Sequence, residues 1–405
     1  GKIEHYPETW IELTKHGELR LKANYRALAA ERLNVETDGV VSTTGAPFWF
    51  LPGKFRFCLR CGTTHGAQGR DINRLAGLSA EGRSSATTVL LSSALRWMHR
   101  RQMPPQPHQR KLLAFTDNRQ DAALQAGHLN DFTFVSLLRA AVVRALRTAE
   151  PHGLEDADLG AAVMAALGFD RELRPGEDPL KTHVREWLLD PNVSPADFQR
   201  AQQTLRSVLA YRVWYDQRRG WRYTNPNLDQ LEMLRVEYRG LEEFCRDDSR
   251  FQHGPDLLRQ AAPAVRERVF RLLLDHLRQG LAVDAAALDP HGLEQLRETS
   301  IKLLRTPWGF GRAFDENVRG WRWLVVDPLP QGRWRAADEE LILHAGPQSK
   351  LGRDLRSSDL WDDGATARLK RGDYMELLRA LLDAAVEGGF VRLRAYTPLR
   401  VPGHQ

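Results

Sequence analysis

The sequence predicts a mixed α/β fold in which helices predominate. Three observations support this class. Apolar residues recur at helical spacing through the middle of the chain, for example over residues 269–278. Short β-prone runs flank turn signals near the amino end. The apolar run Leu112–Phe115 passes directly into a polar turn and a second helical pattern, which is the layout of an α/β unit.

Composition narrows the class of protein. A chain of 405 residues exceeds one typical core and predicts two to four domains. The net charge is +6, and arginines recur beside aromatic residues, which favours a nucleic-acid partner over an acidic small molecule. Three cysteines are too few for a disulfide scaffold. There is no signal-peptide core or membrane-length apolar run, so we expect a cytoplasmic protein without a membrane partner.

Residues 1–75 form a β-rich segment with a Cys-x-x-Cys motif. Asp38-Gly39 lies between two β-prone runs and predicts a hairpin. Cys58 and Cys61, with His65 nearby, have the spacing of half a zinc site. Tetrahedral zinc needs four ligands, so Cys58 and Cys61 would supply only half of them. The remaining cysteine, Cys245, is expected to be a buried apolar residue of the helical region. The alternative for the pair is a turn with reduced thiols.

Residues 76–150 join a connector helix to the α/β unit. The helix is predicted over residues 86–101 and ends before Pro104-Pro105. Leu112–Phe115 are predicted to form a buried strand, because a parallel sheet covered on both faces favours a continuous apolar run. Two helices follow, and the second is predicted to be capped by Asn130 or Asp131.

The polar turn after this strand, residues 116–119, is suited to binding a phosphate group. Helix amides and an arginine beside them bind phosphate oxygens well. The alternative is that Asp117 and Asn118 cap the helix while Arg119 pairs with an acidic neighbour.

Residues 151–300 form a predicted helical domain, and residues 301–405 a predicted winged-helix-like domain. In the latter, a β-like segment at Trp321–Val326 precedes a helix at Tyr374–Glu387 and two β-prone runs that would form the wing. Arg392 and Arg394 on the wing are candidate DNA contacts.

The Arg/aromatic cluster at residues 211–223 is a further candidate for binding phosphates and stacking bases. It contributes Arg218, Arg219 and Trp221. The alternative is that its aromatic residues belong to the core.

Residues 111–128, continuing through Asn130-Asp131-Phe132, resemble the strand and turn that open the second RecA-like domain of superfamily 2 helicases. The likeness is to the very large bacterial DEAD/DEAH-box helicases of antiviral-defence and genome-maintenance loci. Residues 56–62 and 81–88 fit the same group. The resemblance implies a partial RecA-like element, with residues 151–300 as a helical insertion domain.

The resemblance also implies a role for the turn. In these helicases the equivalent positions touch the nucleic-acid backbone, which carries that role to Thr116, Asn118, Arg119 and Gln120. It implies nucleic acid as partner, DNA rather than RNA, together with the remainder of the helicase or other subunits of a defence complex. ATP and Mg²⁺ would be cofactors of the parent protein, and zinc would join them if Cys58 and Cys61 bind it.

The sequence departs from the family where ATP chemistry would occur. It contains neither a G-x-x-x-x-G-K-[ST] loop nor an Asp-Glu-Ala-His box. Leu324–Asp327 is interpreted as a core strand. We therefore expect the nucleic-acid-binding portion of an ATP-dependent helicase or translocase of antiphage defence or DNA repair, without catalytic residues of its own. The alternatives are a non-enzymatic DNA-binding module and a protein-docking scaffold.

Overall fold

The structure is a computed structural model that describes most of the chain. The described residues are 3, 6–7, 10–14, 16, 18–53, 56–57, 74–106, 109–113, 119–178, 182–219, 226–311, 320, 322–326, 342–357, 360–361, 369 and 371–393. At some of these positions, including Arg119, Gln120 and Arg219, only the backbone is described.

The chain forms two compact units, each assembled from stretches that are distant in sequence. The first unit comprises residues 1–68, 236–282 and 322–405, and the second comprises residues 69–235 and 283–321. Helices account for about 54% of the chain and the strands are short, which confirms the predicted predominantly helical α/β class. The predicted division into four consecutive domains stays a prediction.

The helices alternate with long connections. In chain order they are α1 (Arg74–Arg101), α2 (Arg119–Thr148), α3 (Leu159–Ala166), α4 (Pro195–Arg219), α5 (Leu241–Arg246), α6 (Asp256–Gln260), α7 (Pro263–Gln279), α8 (Pro290–Leu303), α9 (Lys350–Leu355) and α10 (Arg371–Glu387). The first unit contains α5, α6, α7, α9 and α10. The second unit contains the others.

The described strands form three pairs, all in the first unit. They are β1 (Ile11–Leu13), β2 (Leu19–Leu21), β3 (Glu31–Val35), β4 (Ala46–Phe50), β5 (Trp323–Val325) and β6 (Ile342–His344). β1 pairs with β2 and β3 with β4 in antiparallel register, whereas β5 and β6 run parallel. The predicted β-like segment around residue 324 is therefore confirmed over β5.

The turn at Asp38-Gly39 forms as predicted, but the hairpin closes on a later strand. Gly39 has φ 89°, a conformation that favours glycine, and the Glu36 amide donates to the Val40 carbonyl at 2.8 Å. The predicted return run after Gly39 pairs with β3 only briefly: Val41 bridges Val35, and the Ser42 amide donates to the Asn34 carbonyl at 2.9 Å. The Ser42 hydroxyl then accepts the amide of Gly45 at 2.9 Å, so the chain turns again before β4 completes the pair.

One large apolar cluster fills the helical part of the first unit. α7 buries residues at every third or fourth position, and α10 faces the same cluster. The buried apolar residues of α7 are Val265, Val269, Phe270, Leu273, Leu274 and Leu277. The Tyr374 hydroxyl of α10 donates to the Ala345 carbonyl just after β6, so the cluster also holds the parallel strand pair.

A buried guanidinium organises the short helices around α7. Arg266 is 2% exposed, and it donates to the carbonyls of Leu258 at 3.1 Å, Arg259 at 2.7 Å and Cys245 at 3.4 Å. These carbonyls lie at the carboxyl ends of α5 and α6, where helices lack internal donors. An ion pair with Asp248 balances the charge. Arg266 thus satisfies two helix ends from one position.

The chain after α10 caps that helix and does not form the predicted wing strand. Gly389 has φ 76°, and the Phe390 amide donates to the Ala385 carbonyl at 2.9 Å, which is a Schellman cap. Phe390 then packs edge-on against Phe244 at 5.2 Å between ring centroids. The strand prediction is wrong over residues 389–393, because their backbone groups and apolar side chain are engaged at the helix end. Arg394 and the rest of the predicted wing lie outside the described residues.

The predicted strand before the polar turn is also wrong in its described part. Lys111–Leu113 belong to no strand, and Leu112 and Leu113 are 41% and 84% exposed. Residues 114–118 lie outside the described residues. A strand is stabilised by hydrogen bonds to a neighbouring strand, and none of the described strands pairs with this segment.

Helix α2 runs without a break where two helices were predicted. Asn130 and Asp131 lie inside it, so neither is an N-cap. The capping preference of these residues is about 1 kcal/mol, which is less than the packing of the continuous apolar face around Leu138 and Val142 contributes. The predicted helix over residues 86–101 is confirmed as the second half of α1.

Trp308, in the segment after α8, packs the connecting segments of the second unit against α2. Its ring contacts Phe134 of α2 at 5.3 Å and Phe169 at 4.7 Å, both edge-on, and its indole nitrogen donates to Glu186 at 3.1 Å. The Arg139 guanidinium of α2 binds Asp216 of α4, with an Nη2–Oδ1 distance of 2.8 Å. Charge pairing and aromatic packing therefore fix α2 against both α4 and the segment after α8.

Replacing Arg266 should open the first unit locally. Arg266→Leu leaves three carbonyls without donors, so we expect the free energy of opening α5 to α7 to fall by about 3 kcal/mol. Arg266→Lys should recover less than half, because an ammonium cannot reproduce the guanidinium fork. Native-state hydrogen exchange measures this free energy. The control is Arg246→Leu, at an exposed ion pair on α5, which should lower the free energy of opening by less than about 0.5 kcal/mol. An equal loss in Arg266→Leu and Arg246→Leu would contradict the capping role of Arg266.

Candidate nucleic-acid interface

The polar turn predicted to bind phosphate leads directly into α2. Arg119 and Gln120 are the first two residues of this helix. Their side chains, and all of Thr116 and Asn118, lie outside the described residues. The backbone establishes where the helix begins. The first amides of a helix have no internal acceptor and carry the positive end of its dipole, so an anionic group is favoured there.

α1 and α2 bring together two of the segments that carry the helicase resemblance. The Gln125 side-chain amide donates to the Thr88 hydroxyl at 3.3 Å, and Thr88 is fully buried. Thr88 ends the segment 81–88, and Gln125 lies in the segment that follows the polar turn. Gln125 is six residues, about 9 Å, from the start of α2. This contact therefore holds the amino-terminal part of α2 against α1.

The first residues of the Arg/aromatic cluster belong to the core of the second unit. Tyr211 is 4% exposed and packs edge-on against Phe310 at 5.4 Å. The Arg212 guanidinium lies 4.5 Å from the Phe134 ring centroid and donates to the Gly309 carbonyl at 2.9 Å. These two side chains are engaged within the unit, so the alternative of core residues holds for Tyr211, whereas Tyr215 is 41% exposed.

The carboxyl end of the cluster contains the basic residues that remain candidates for phosphate contacts. Arg218 is half-buried near the end of α4. The Arg219 side chain and Trp221 lie outside the described residues. The second unit thus has candidate arginines at two helix ends: Arg119 at the start of α2, and Arg218 with Arg219 at the end of α4.

The distance between these two ends follows from the Arg139–Asp216 ion pair. This pair places the last turn of α4 beside α2 at about two thirds of its length from Arg119. Arg139 is twenty residues from Arg119, which corresponds to about 30 Å of helix. A B-form strand advances about 3.4 Å per nucleotide, so the span corresponds to roughly nine nucleotides. One side chain cannot cover it, and the two ends are separate candidate contacts.

The remaining predicted contacts and ligands lie in the first unit or outside the described residues. Arg392 is exposed beyond the Schellman cap. Cys58 and Cys61 are not among the described residues. No cluster of three or more potential metal ligands occurs in the part of the chain that the structure describes.

The third cysteine is structural, as predicted. Cys245 is 1% exposed in the core of the first unit and forms no disulfide. Burial raises the pKa of its thiol to about 12, so the thiol stays protonated and inert at neutral pH.

A cavity of about 290 Å³ in the first unit was missed by the sequence analysis. It lies between α7 and α9, and His276 is among its lining residues. The pKa of His276 is lowered to about 4, chiefly by burial; a hydrogen bond to the His344 backbone raises it, and the nearby Lys350 and Arg322 contribute to lowering it. The helical periodicity of α7 was visible in the sequence, but its polar face was not assigned a role.

Comparison of the chain with protein-family models, curated proteins and solved structures returned no match. Among the described helices, none is long and apolar enough to cross a membrane.

The His276 pKa predicts acid sensitivity of the first unit. The folded-state pKa lies below the usual 6.5, so between pH 6.5 and about 4 the unfolded chain binds more protons. Stability should therefore fall as the pH is lowered through this interval, by about 1–2 kcal/mol from this residue. Urea unfolding followed by circular dichroism measures the free energy of unfolding at each pH. In His276→Gln this free energy should fall less steeply as the pH is lowered through the same interval. The matched control is His253→Gln, at an exposed position of the same unit. An unchanged slope in His276→Gln contradicts the prediction.

Proposed function

We propose that this chain is the nucleic-acid-binding portion of an ATP-dependent superfamily 2 helicase or translocase that acts on DNA in antiphage defence or DNA repair. The proposal begins from the resemblance of residues 56–62, 81–88 and 111–132 to such helicases. The observation that carries it is the Thr88–Gln125 hydrogen bond, which joins two of these segments at the start of α2. Two segments that share a family likeness and contact each other are expected to serve one site.

The chemistry at the two helix ends supports binding to a phosphate backbone. The positive end of α2 coincides with Arg119 and Gln120, and α4 ends on Arg218 and Arg219. In this proposal Thr116 and Asn118 complete the first contact, and the partial RecA-like element begins with them. Arg392 and Arg394 would add contacts from a winged-helix-like element in the first unit. Phosphate contacts position the strand without reading its sequence.

A second candidate is a protein-docking scaffold, which exposed apolar side chains favour. On α1, Leu90 is 70% exposed and Trp97 is 55% exposed, and these two residues lie seven apart on one helix face. Leu113 of the same unit is 84% exposed. Exposed apolar surface of this kind is typical of contacts with another protein. In the helicase proposal its partner is the remainder of the helicase or another defence-complex subunit.

Nucleic-acid binding is tested by charge removal at the two helix ends. Arg119→Gln and Arg219→Gln should each weaken binding of labelled DNA about tenfold, the value of one charge-assisted contact of about 1.4 kcal/mol. Each should also reduce the slope of log affinity against log salt by about one. Fluorescence anisotropy over a salt series measures both, with RNA of the same sequence for comparison.

The matched control is Arg147→Gln, which removes an exposed arginine from the opposite end of α2. It should change affinity and salt slope less than either variant. Intact DNA binding in Arg119→Gln and in Arg218→Gln/Arg219→Gln would favour the docking scaffold.

The chain by itself should not hydrolyse ATP. Its sequence lacks the G-x-x-x-x-G-K-[ST] loop, which in ATP-hydrolysing proteins of this class holds the nucleotide phosphates for transfer. Phosphate release should stay at background with and without DNA, and should appear only with a protein that supplies the first RecA-like domain. Robust ATP turnover by this chain alone would contradict the proposal that ATP hydrolysis needs a separately supplied first RecA-like domain.

A further inference from the structure

The carboxyl-terminal half of α1 and the segment after it carry positive charge that no acidic residue interrupts. Residues 82–113 contain six arginines and lysines and no aspartate or glutamate. Four of these cations are exposed, namely Arg96, Arg100, Arg101 and Lys111. Together with Trp97 they are called here the basic surface of α1. This surface lies in the second unit.

The three arginines of the basic surface are unpaired. None of the described residues forms a hydrogen bond or an ion pair with Arg96, Arg100 or Arg101. Arg96 and Arg100 are four residues apart on one helix, so their like charges repel and destabilise it. An anionic partner bound between them would remove this repulsion.

These arginines are not needed to close the end of α1. Arginines near a helix end often bind its last carbonyls, but here the backbone does so. Gln102 has φ 53°, and the amides of Gln102 and Met103 donate to the carbonyls of His99 at 3.2 Å and Met98 at 3.0 Å, which is a Schellman cap. The charge of the arginines suits the negative end of the helix dipole, and that interaction leaves their hydrogen-bond donors available.

Trp97 places an exposed aromatic ring among these charges. It is 55% exposed, and its ring contacts no other ring among the described residues. Arg100 and Arg101 lie three and four residues further along, which places them beside Trp97 on the helix surface. An aromatic ring with guanidinium groups beside it suits a nucleotide, since the ring stacks on a base and the arginines bind phosphates.

The segment after α1 returns a fourth charge to this surface. The Arg110 guanidinium donates to the carbonyl of Pro104 at 2.8 Å and to that of Pro105 at 2.7 Å. Pro104 is only three residues beyond the end of α1. Lys111 directly follows Arg110, so its exposed side chain lies close to the end of the helix.

The pattern around the helix favours nucleic acid over a membrane. A helix that lies on an anionic membrane separates an apolar face from a charged one. On α1 the two kinds of exposed residue alternate around the axis at 3.6 residues per turn. Val89 lies between Arg96 and Arg100, and Trp97 lies between Arg100 and Arg101. A surface of alternating rings and cations matches a strand of alternating bases and phosphates.

We propose that the basic surface of α1 binds single-stranded DNA, with an unpaired base stacked on Trp97 and two or three phosphates bound by the cations. Arg96 and Arg101 are about 8 Å apart along the helix axis, or roughly two nucleotide steps of about 3.4 Å. In a duplex each base is stacked between its neighbours, so only an unpaired base can use the ring. The inference rests on the proposed function and adds to it a further contact and the form of the strand. Trp97 thereby leaves the candidate docking surface of α1, which retains Leu90.

Fluorescence anisotropy of the full chain with a labelled single strand of about 20 thymidines, and with a duplex of the same length, tests the stacking. Trp97→Ala should weaken binding of the single strand about tenfold and binding of the duplex less than about twofold. Trp97→Phe keeps an aromatic ring and should recover most of the affinity. The matched control is Trp49→Ala, at a tryptophan of the first unit that is 51% exposed, and it should bind the single strand normally.

A salt series tests the phosphate contacts. Arg100→Gln should reduce the slope of log affinity against log salt by about 0.7 for the single strand, the value of one phosphate contact. Arg147→Gln, at an exposed arginine of α2, is its control and should leave the slope unchanged. Because Trp97 and Arg100 are both exposed, circular dichroism of their variants should match that of the unaltered chain.

Three outcomes would overturn the inference. Normal single-strand binding in Trp97→Ala and Arg100→Gln removes the site and returns Trp97 to the docking scaffold. An equal loss for single strand and duplex in Trp97→Ala removes the base stacking. Displacement of the oligonucleotide by phosphatidylserine vesicles assigns the surface to a membrane. Loss of binding in Arg119→Gln alone would leave the proposed function intact without this site, whereas no DNA binding by the unaltered chain contradicts both.

Discussion

The buried guanidinium of Arg266 is the interaction on which the first unit depends. It lies on α7, and α7 provides the apolar face of the core as well as the polar face of the cavity. By satisfying the carboxyl ends of α5 and α6, Arg266 places these short helices against α7. Helices of five or six residues are not stable in isolation, so their position depends on such contacts.

Sequence patterns located α7, α10 and the second half of α1, but they divided α2 into two helices and predicted the strands less well. The periodicity of α1 and α7 is local, so a short window contains all of the information. A strand also needs a neighbour. Leu112 and Leu113 have the composition of a buried strand, yet no described strand pairs with them. At Gly389 and Phe390 a β-prone run was instead used to end a helix, because the cap satisfies carbonyls that the helix itself cannot.

The two candidate sites differ in how much of each could be predicted from the sequence. The polar turn before α2 is contiguous, and a family resemblance was sufficient to name Arg119 and Gln120. The basic surface of α1 is also local in sequence, but that its arginines lack partners follows only from the fold. The cavity of the first unit combines α7 with α9, which is more than seventy residues further along the chain. Only the fold brings Lys350 near His276. The hydrogen bond from Gln125 to Thr88 was likewise beyond the reach of sequence patterns.

The uninterrupted course of α2 gives the second unit a mechanical property. Thirty residues form a rod of about 45 Å, and its ion pair with Asp216 lies well beyond its midpoint from Arg119. Gln125, Phe134 and Arg139 attach it along its length to α1, to the segment after α8 and to α4. A force applied at its first turn is therefore transmitted to all three neighbours together, and α2 distributes load across the unit.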